Sequence, residues 1–167
     1  MLKKNLEKAA KIGYTYYTGP ELEYFYFKDN KGTEPLDVGG YFDMDPHDAA
    51  NDLRRDTILA LEEMGIAIDK SHHEVATSQH EIDMCYADAL TMADNVMTYR
   101  LVVKQIALEK GVYATFMPKP TYGINGSGMH VHTGLLSLKK GTNLFFDPAG
   151  YAHLSQTCRY FIGGILN

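Results

Sequence analysis

Cysteine is scarce in this chain of 167 residues: Cys85 and Cys158 lie too far apart to suggest a disulfide framework, and they fit a reducing, cytoplasmic setting. Basic residues are not in excess either. Lysine and arginine total 16 against 21 aspartates and glutamates, so the formal charge is -5, which argues against nucleic acid as a partner. No apolar stretch approaches the length needed to span a bilayer, which excludes a helical membrane protein. Lys3, Lys4, Glu7, Lys8 and Lys11 are scattered through the first twelve residues, so there is no signal-peptide apolar run. Internal repeats, low-complexity tracts and Pro/Gly/Ser-rich linkers are absent as well. What is present has globular proportions, 45% hydrophobic and 22% charged, and a length that suits one domain or a segment of a larger protein.

The pattern along the chain is mixed helix and strand. Leu2, Leu6, Ala9 and Ala10 fall at helical spacing before Gly13, and residues 14–27 are dense in Tyr and Phe, as a strand requires. A helix is predicted over 45–64, with Asp45 as N-cap, Pro46 at its first position, Asp48 in its first turn and Gly65 as its stop. Ala50, Leu53, Thr57, Leu61 and Met64 form its apolar line. Residues 66–69 and 72–84 read as strands or a hairpin around Thr77-Ser78. Asp88 caps a long helix over 88–110, with Leu90, Ala93, Met97, Leu101 and Ile106 as its buried line. Strands are expected at 112–117 and 128–136, and a last helix over 149–166, where the apolar ending suggests a chain cut short.

Three clusters could carry chemistry. Glu21 and Glu23 alternate on a strand and share a face, which costs several kcal/mol each unless a cation compensates or the strand end reaches water (roughly, after relaxation). Glu74 and Glu81 flank a tight turn in the run Ser71 to Asp83, and a site rich in glutamate with few imidazoles suits Mg2+ or Mn2+ better than zinc. His72, His73 and His80 read singly as ordinary polar strand residues. In Asn125-Gly126-Ser127-Gly128-Met129-His130-Val131-His132 the glycines permit a sharp turn, and His130 and His132 share a strand face. No Gly-Lys-Ser/Thr follows, so this is not a Walker loop, and no His-Glu-x-x-His is present.

Taken in order, these segments resemble type I glutamine synthetases. The matching stretches are Gly19-Pro20-Glu21-Leu22-Glu23-Tyr24-Phe25, Gly40-Tyr41-Phe42-Asp43, His72-His73-Glu74-Val75-Ala76 with Gln79-His80-Glu81-Ile82, Met117-Pro118-Lys119-Pro120, Asn125 through His132, and Tyr160 to Leu166. The resemblance implies an α+β fold, a curved and mainly antiparallel sheet with helices on its outer face and carboxylates on the open side. It also implies ATP-dependent synthesis of glutamine from glutamate and ammonia through γ-glutamyl phosphate, with Mg2+ or Mn2+ as cofactor. In that family Glu23, Glu74 and Glu81 match ligands of one metal, Glu21 and His130 ligands of the other. Asn125 and Gly126 match glutamate-binding positions, His132 one near the nucleotide phosphates, and Tyr86 one beside the adenine. Thr77-Ser78 departs from the family's usual glycine before Gln79, and Gly134 replaces a common serine.

Residues 1–167 therefore read as one central catalytic-domain segment, without the family's N-terminal β domain and C-terminal arginines. The implied setting is cytoplasmic and the implied assembly a large homo-oligomer, with no nucleic-acid or membrane partner. Two other readings stand beside it: a non-catalytic binding module that keeps the metal cluster, and a γ-glutamyl ligase acting on a polyamine or other amine.

Overall fold

The computed structural model describes residues 1–32, 34–44 and 47–167. Its elements are α1 (Leu2–Lys11), β1 (Tyr14–Phe27), α2 (Asn51–Glu63), β2 (Ile68–His73), β3 (Gln79–Met84), β4 (Ala87–Asp88), α3 (Ala89–Glu109), β5 (Tyr113–Thr115), β6 (Met129–Ser137) and α4 (Gln156–Leu166). Strand β1 organises the sheet. It pairs antiparallel with β3, β4 and β5 and also pairs β6, while β2 extends the sheet beyond β3. The class is α+β with an antiparallel sheet, as expected. Among the described residues no helix is long and apolar enough to cross a membrane.

The chain folds as two compact units, one of Met1–Thr18, Tyr86–Met92 and His132–Asn167, the other of Gly19–Cys85 and Ala93–Val131. In the first, Tyr16, Phe145 and Phe161 form an aromatic group with ring centroids 5.0–6.0 Å apart. Asp88 caps α3 as predicted, its Oδ1 accepting from the backbone amides of Leu90 and Thr91. The last helix starts later than the predicted residue 149. A short 3-10 turn at Tyr151–His153 intervenes, held by the bridge between Phe146 and Leu154. Ser155 then caps α4, its Oγ accepting from Cys158 N at 3.0 Å.

The second unit is built on the aromatic strand. Tyr24 and Tyr26 are fully buried and meet edge to face at 5.0 Å, and Tyr24 also lies edge-on to Tyr99 of α3. Such pairs add about 0.5–1.5 kcal/mol beyond the area they bury. Tyr99 donates to the carbonyl of Leu22, tying α3 to the middle of β1. Helix α3 does not bury the line expected for it. Met92, Tyr99, Val102, Val103 and Ala107 face inward, whereas Ala93, Met97 and Leu101 are exposed and Leu90 and Ile106 only half-buried. Apolar residues recur on more than one side of the helix, so periodicity offered two competing stripes, and the buried one is that which sets Tyr99 against Tyr24.

Helix α2 begins at Asn51, not near residue 45, and Met64 at its C-terminal end is exposed. Asp45 and Pro46 lie outside the described residues. Asp48 sits in the preceding turn, where its Oδ1 accepts from Ala50 N and both oxygens take the guanidinium of Arg54 at 3.0 and 2.6 Å. Arg54 Nη1 also donates to His80 Nδ1 at 2.9 Å, which leaves the His80 proton on Nε2. Beyond it, His73 Nε2 is 2.8 Å from Asp37 Oδ1 and His73 Nδ1 is 2.7 Å from the carbonyl of Glu74. His80 Nε2 is 3.3 Å from Asp37 Oδ2, too poorly aligned for a hydrogen bond. This buried chain of charges lies behind the β2–β3 hairpin.

The same network explains the missing turn glycine. Ser78 adopts φ +58°, a left-handed conformation that costs a residue with a side chain about 1–2 kcal/mol. Asp37 offsets that cost, its Oδ1 accepting from Ser78 N at 2.9 Å while Ser78 Oγ accepts from Asp37 N at 2.7 Å. Removing Arg54 would strand Asp48, which is 2% exposed. Arg54→Ala is therefore expected to lower stability by about 3–5 kcal/mol in urea denaturation. A loss below 1 kcal/mol, roughly the worth of a surface ion pair, would contradict the network's role.

Candidate metal and substrate site

Strand alternation sorts the hairpin into two chemistries. On β1, Glu21 and Glu23 point to one face and Leu22 and Tyr24 to the other. The register sets Glu23 opposite Glu81 and Glu21 opposite Asp83 on β3, and His72 of β2 opposite Glu81. The same register sets Lys70 opposite Asp83, and the pairing becomes irregular only beyond it, between Ile68 and Lys70. Lys70 Nζ is 3.2 Å from Asp83 Oδ2 and 3.9 Å from Glu21 Oε1.

Glu21, Glu23, Glu74, Glu81 and His130 all line one cavity of about 290 Å³, together with Tyr41, Phe42, Lys70, His72 and Val75. Carboxylate oxygens of Glu23, Glu74 and Glu81 lie within 4.8 Å of one another. His130 Nδ1 is 3.9 Å from Glu21 Oε2, on a ring that is largely exposed. Glu74 accepts from His72 Nε2 at 2.8 Å and from its neighbour's amide, Val75 N, at 2.9 Å. Glu23 Oε2 accepts from Gln79 Nε2 at 2.6 Å and from Gly128 N at 2.9 Å.

The loop before β6 carries Asn125 and Gly126. Gly126 packs so tightly on the carbonyl of Pro118 that a side chain there would collide with it. Its own carbonyl accepts from Gln79 Nε2 at 2.9 Å, and Lys119 Nζ donates to the carbonyl of Ile124. Asn125 is exposed. Tyr86 and His132, the two positions matched to nucleotide, lie together in the first unit, with rings edge to face at 6.4 Å.

Burial and the charges of Asp83, Glu74 and Glu21 push the carboxyl of Glu81 up to about 9. Left without a cation, this face retains a proton. The donor set fits a hard divalent ion: oxygen ligands predominate, converge on one point and have capacity to spare. A second group, Asp37, His73 and His80, also comes within 4.8 Å. Most of its ligand atoms are taken, His80 Nδ1 by Arg54, Asp37 Oδ1 by Ser78 and His73 Nε2, and His73 Nδ1 by the carbonyl of Glu74, while His80 Nε2 and Asp37 Oδ2 make no hydrogen bond. Although burial opposes its charge, hydrogen bonding from His73 holds Asp37 well below the usual carboxylate range, while burial pushes His80 down to about 4. His73 and His80 are thus polar packing residues, as read singly from the sequence.

Reading the sequence missed His72, Lys70, Asp83 and Gln79 as members of this face. The signal was available: Gln79, Glu81 and Asp83 recur at period two, and a hairpin through Thr77-Ser78 brings His72 opposite Glu81.

Over residues 1–167 the chain matches the family described as "Glutamine synthetase, catalytic domain". It is 53% identical over 170 residues to a glutamine synthetase of Methanosarcina mazei and 51% identical over 169 residues to one of Thermotoga maritima. Each alignment covers 99% of this chain but 38% of the relative, so the chain spans well under half of their length. Among solved structures, apo GmaS without ligand superposes with a TM-score of 0.91 at 31% identity, covering 98% of this chain and 39% of that one. Glutamine synthetase of Plasmodium falciparum superposes at 0.84 and 30%, covering 98% and 38% respectively.

The raised Glu81 pKa has a testable sign. Its stabilising contribution is complete below the unfolded value of 4.5 and is lost as pH rises toward about 9. His73, also raised, slopes the same way above 6.5, whereas His80, depressed, slopes the opposite way between 4 and 6.5. The difference between wild type and Glu81→Gln isolates the carboxyl. In chelator-treated protein the variant is expected to melt higher than wild type at pH 8, with the gap closing at pH 5. Equal melting temperatures at pH 8 would refute the strain at Glu81.

Proposed function

The chain belongs to the glutamine synthetase catalytic-domain family, and from that membership we propose that it is the metal-bearing segment of an ATP-dependent glutamate–ammonia ligase. The observation that carries the reading is the lining of a single cavity by Glu21, Glu23, Glu74, Glu81 and His130. Glu23, Glu74 and Glu81 would hold one Mg2+ or Mn2+, and Glu21 with His130 a second. When bound, such ions neutralise charge on the transferring phosphoryl group and its flanking oxygens.

The chain's own residues supply placement. Asn125 and the backbone at Gly126 bind the substrate glutamate and aim its γ-carboxylate. His132 lies by the nucleotide phosphates and Tyr86 against the adenine. The γ-carboxylate attacks the terminal phosphorus of ATP, giving γ-glutamyl phosphate and ADP. Ammonia then displaces phosphate and loses a proton, giving glutamine. The acidic face favours ammonium over competing anions and keeps carboxylates at hand to take that proton. Assembly into a large homo-oligomer and a cytoplasmic location, consistent with the free thiols of Cys85 and Cys158, complete the proposal.

Mn2+ titration tests the site and hydroxamate formation tests the reaction. Glu23→Ala and Glu74→Ala are each expected to weaken Mn2+ binding at least about tenfold while the fold persists, since each removes a strained charge. With glutamate, ATP, Mg2+ and hydroxylamine, γ-glutamyl hydroxamate that disappears in Glu74→Ala would support the ligase. Mn2+ affinity unchanged in both variants would sink the reading. Retained, Glu74-dependent Mn2+ binding without product would reduce it to a metal-holding segment without turnover.

A further inference from the structure

Gln79 is 1% exposed and has every hydrogen-bonding atom of its amide engaged. Oε1 accepts from Ala76 N at 3.2 Å, which closes the hairpin turn. Nε2 gives one proton to Glu23 Oε2 at 2.6 Å and the other to the carbonyl of Gly126 at 2.9 Å. The same Glu23 oxygen also accepts from Gly128 N at 2.9 Å, while Glu23 N donates to Gly128 O at 3.1 Å. Glu23 is thus locked through Oε2, and Oε1 has capacity to spare. Glycine at position 128 leaves that oxygen room: a Cβ there would come within 3.1 Å of it and push against it.

Resting on the proposed site, we infer that Gln79 is a positioning residue that couples cation binding at Glu23 to the seating of the amino-acid loop around Gly126. One amide group bridges the carboxylate that would hold the metal and the backbone that would hold the substrate. A ligand that orders either end orders the Glu23–Gln79–Gly126 chain, so the second ligand has less left to order and binds more tightly. The residue type is informative. Lysine or arginine here would neutralise Glu23 and compete with the cation, and glutamate would repel it. A neutral amide donates to both ends, accepts from the turn and leaves the charge of Glu23 free for a metal.

The test uses the full chain with Mn2+ alone as probe, and follows hydrogen exchange of amides in residues 119–128 alongside Mn2+ titration. Gln79→Glu keeps the acceptor for Ala76 N and loses the donors; Gln79→Leu removes both and guards against repulsion as the sole cause. In wild type, saturating Mn2+ is expected to slow exchange at Ser127 and Gly128 about tenfold, the equivalent of one hydrogen bond's stabilisation. Both variants are expected to bind Mn2+ about 10–100-fold more weakly. At saturation they should slow the same amides less than about twofold. A purely structural Gln79 would lower the metal-free melting temperature yet leave the metal-induced slowing intact, and that result overturns the coupling. Mn2+ binding in wild type without any slowing of the loop overturns it as well. Absence of Mn2+ binding in wild type overturns the metal reading itself, and this inference with it.

Discussion

Electrostatic repulsion among acids on one sheet face is the constraint around which the rest of this structure is arranged. Glu21, Glu23, Glu81 and Asp83 are brought side by side by the pairing of β1 with β3, and Glu74 joins them from the end of the hairpin. Backbone register sets Glu21, Glu23, Glu81 and Asp83 on neighbouring positions of one face, so the crowding is built into the strand pairing. The visible compensations are Lys70 against Asp83, His72 against Glu74, and a proton retained on Glu81. Each compensation is partial, and a divalent ion at the proposed site would balance the charge that remains.

The opposite face of the same hairpin explains how such a strained surface is held. Alternate residues of β3 serve two purposes: Gln79, Glu81 and Asp83 line the acidic side, while His80 and Ile82 are buried toward α2 and α3. The Asp48–Arg54–His80 and Asp37–His73 contacts fasten the hairpin from behind, and His73 holds the carbonyl of Glu74 itself. Ser78 can stand where a glycine would be easier because Asp37 stabilises its left-handed backbone. Rigidity behind the sheet thus keeps carboxylates in front from drifting apart into solvent.

Much of this was legible in the residues, and the failures have physical causes. Period-two alternation placed Glu21 with Glu23, and the turn at Thr77-Ser78 brought Glu74 and Glu81 into one cavity with His130. The strand through Gly19-Pro20 runs unbroken because β4 pairs with its Tyr17 and Thr18 and β3 with Glu21 onward, leaving the proline between two partners. The face of α3 was misjudged because its apolar residues are spread around the helix between Asp94, Arg100 and Lys104, and the aromatic cluster of β1 decides between the stripes they offer. Helices α2 and α4 start later than expected, where Asp48 is held in the preceding turn by Arg54 of α2 and Ser155 donates to the carbonyl of Leu144 while capping α4. Gln79 and Lys70 share the alternation of their strands but escaped notice because one acts on a loop 47 residues away and the other on a cross-strand partner, pairings that no single segment displays.

Anomalous scattering from Mn2+-soaked crystals of the chain is the most direct measurement of whether the acidic face exists to hold cations. A peak bounded by Glu23, Glu74 and Glu81, with a second beside Glu21 and His130, is the expected result. Well-diffracting crystals with no anomalous density in that cavity, and with Glu81 hydrogen-bonded to Asp83 in its place, would contradict it and leave retained protons, with Lys70 and His72, as the charge balance on this sheet.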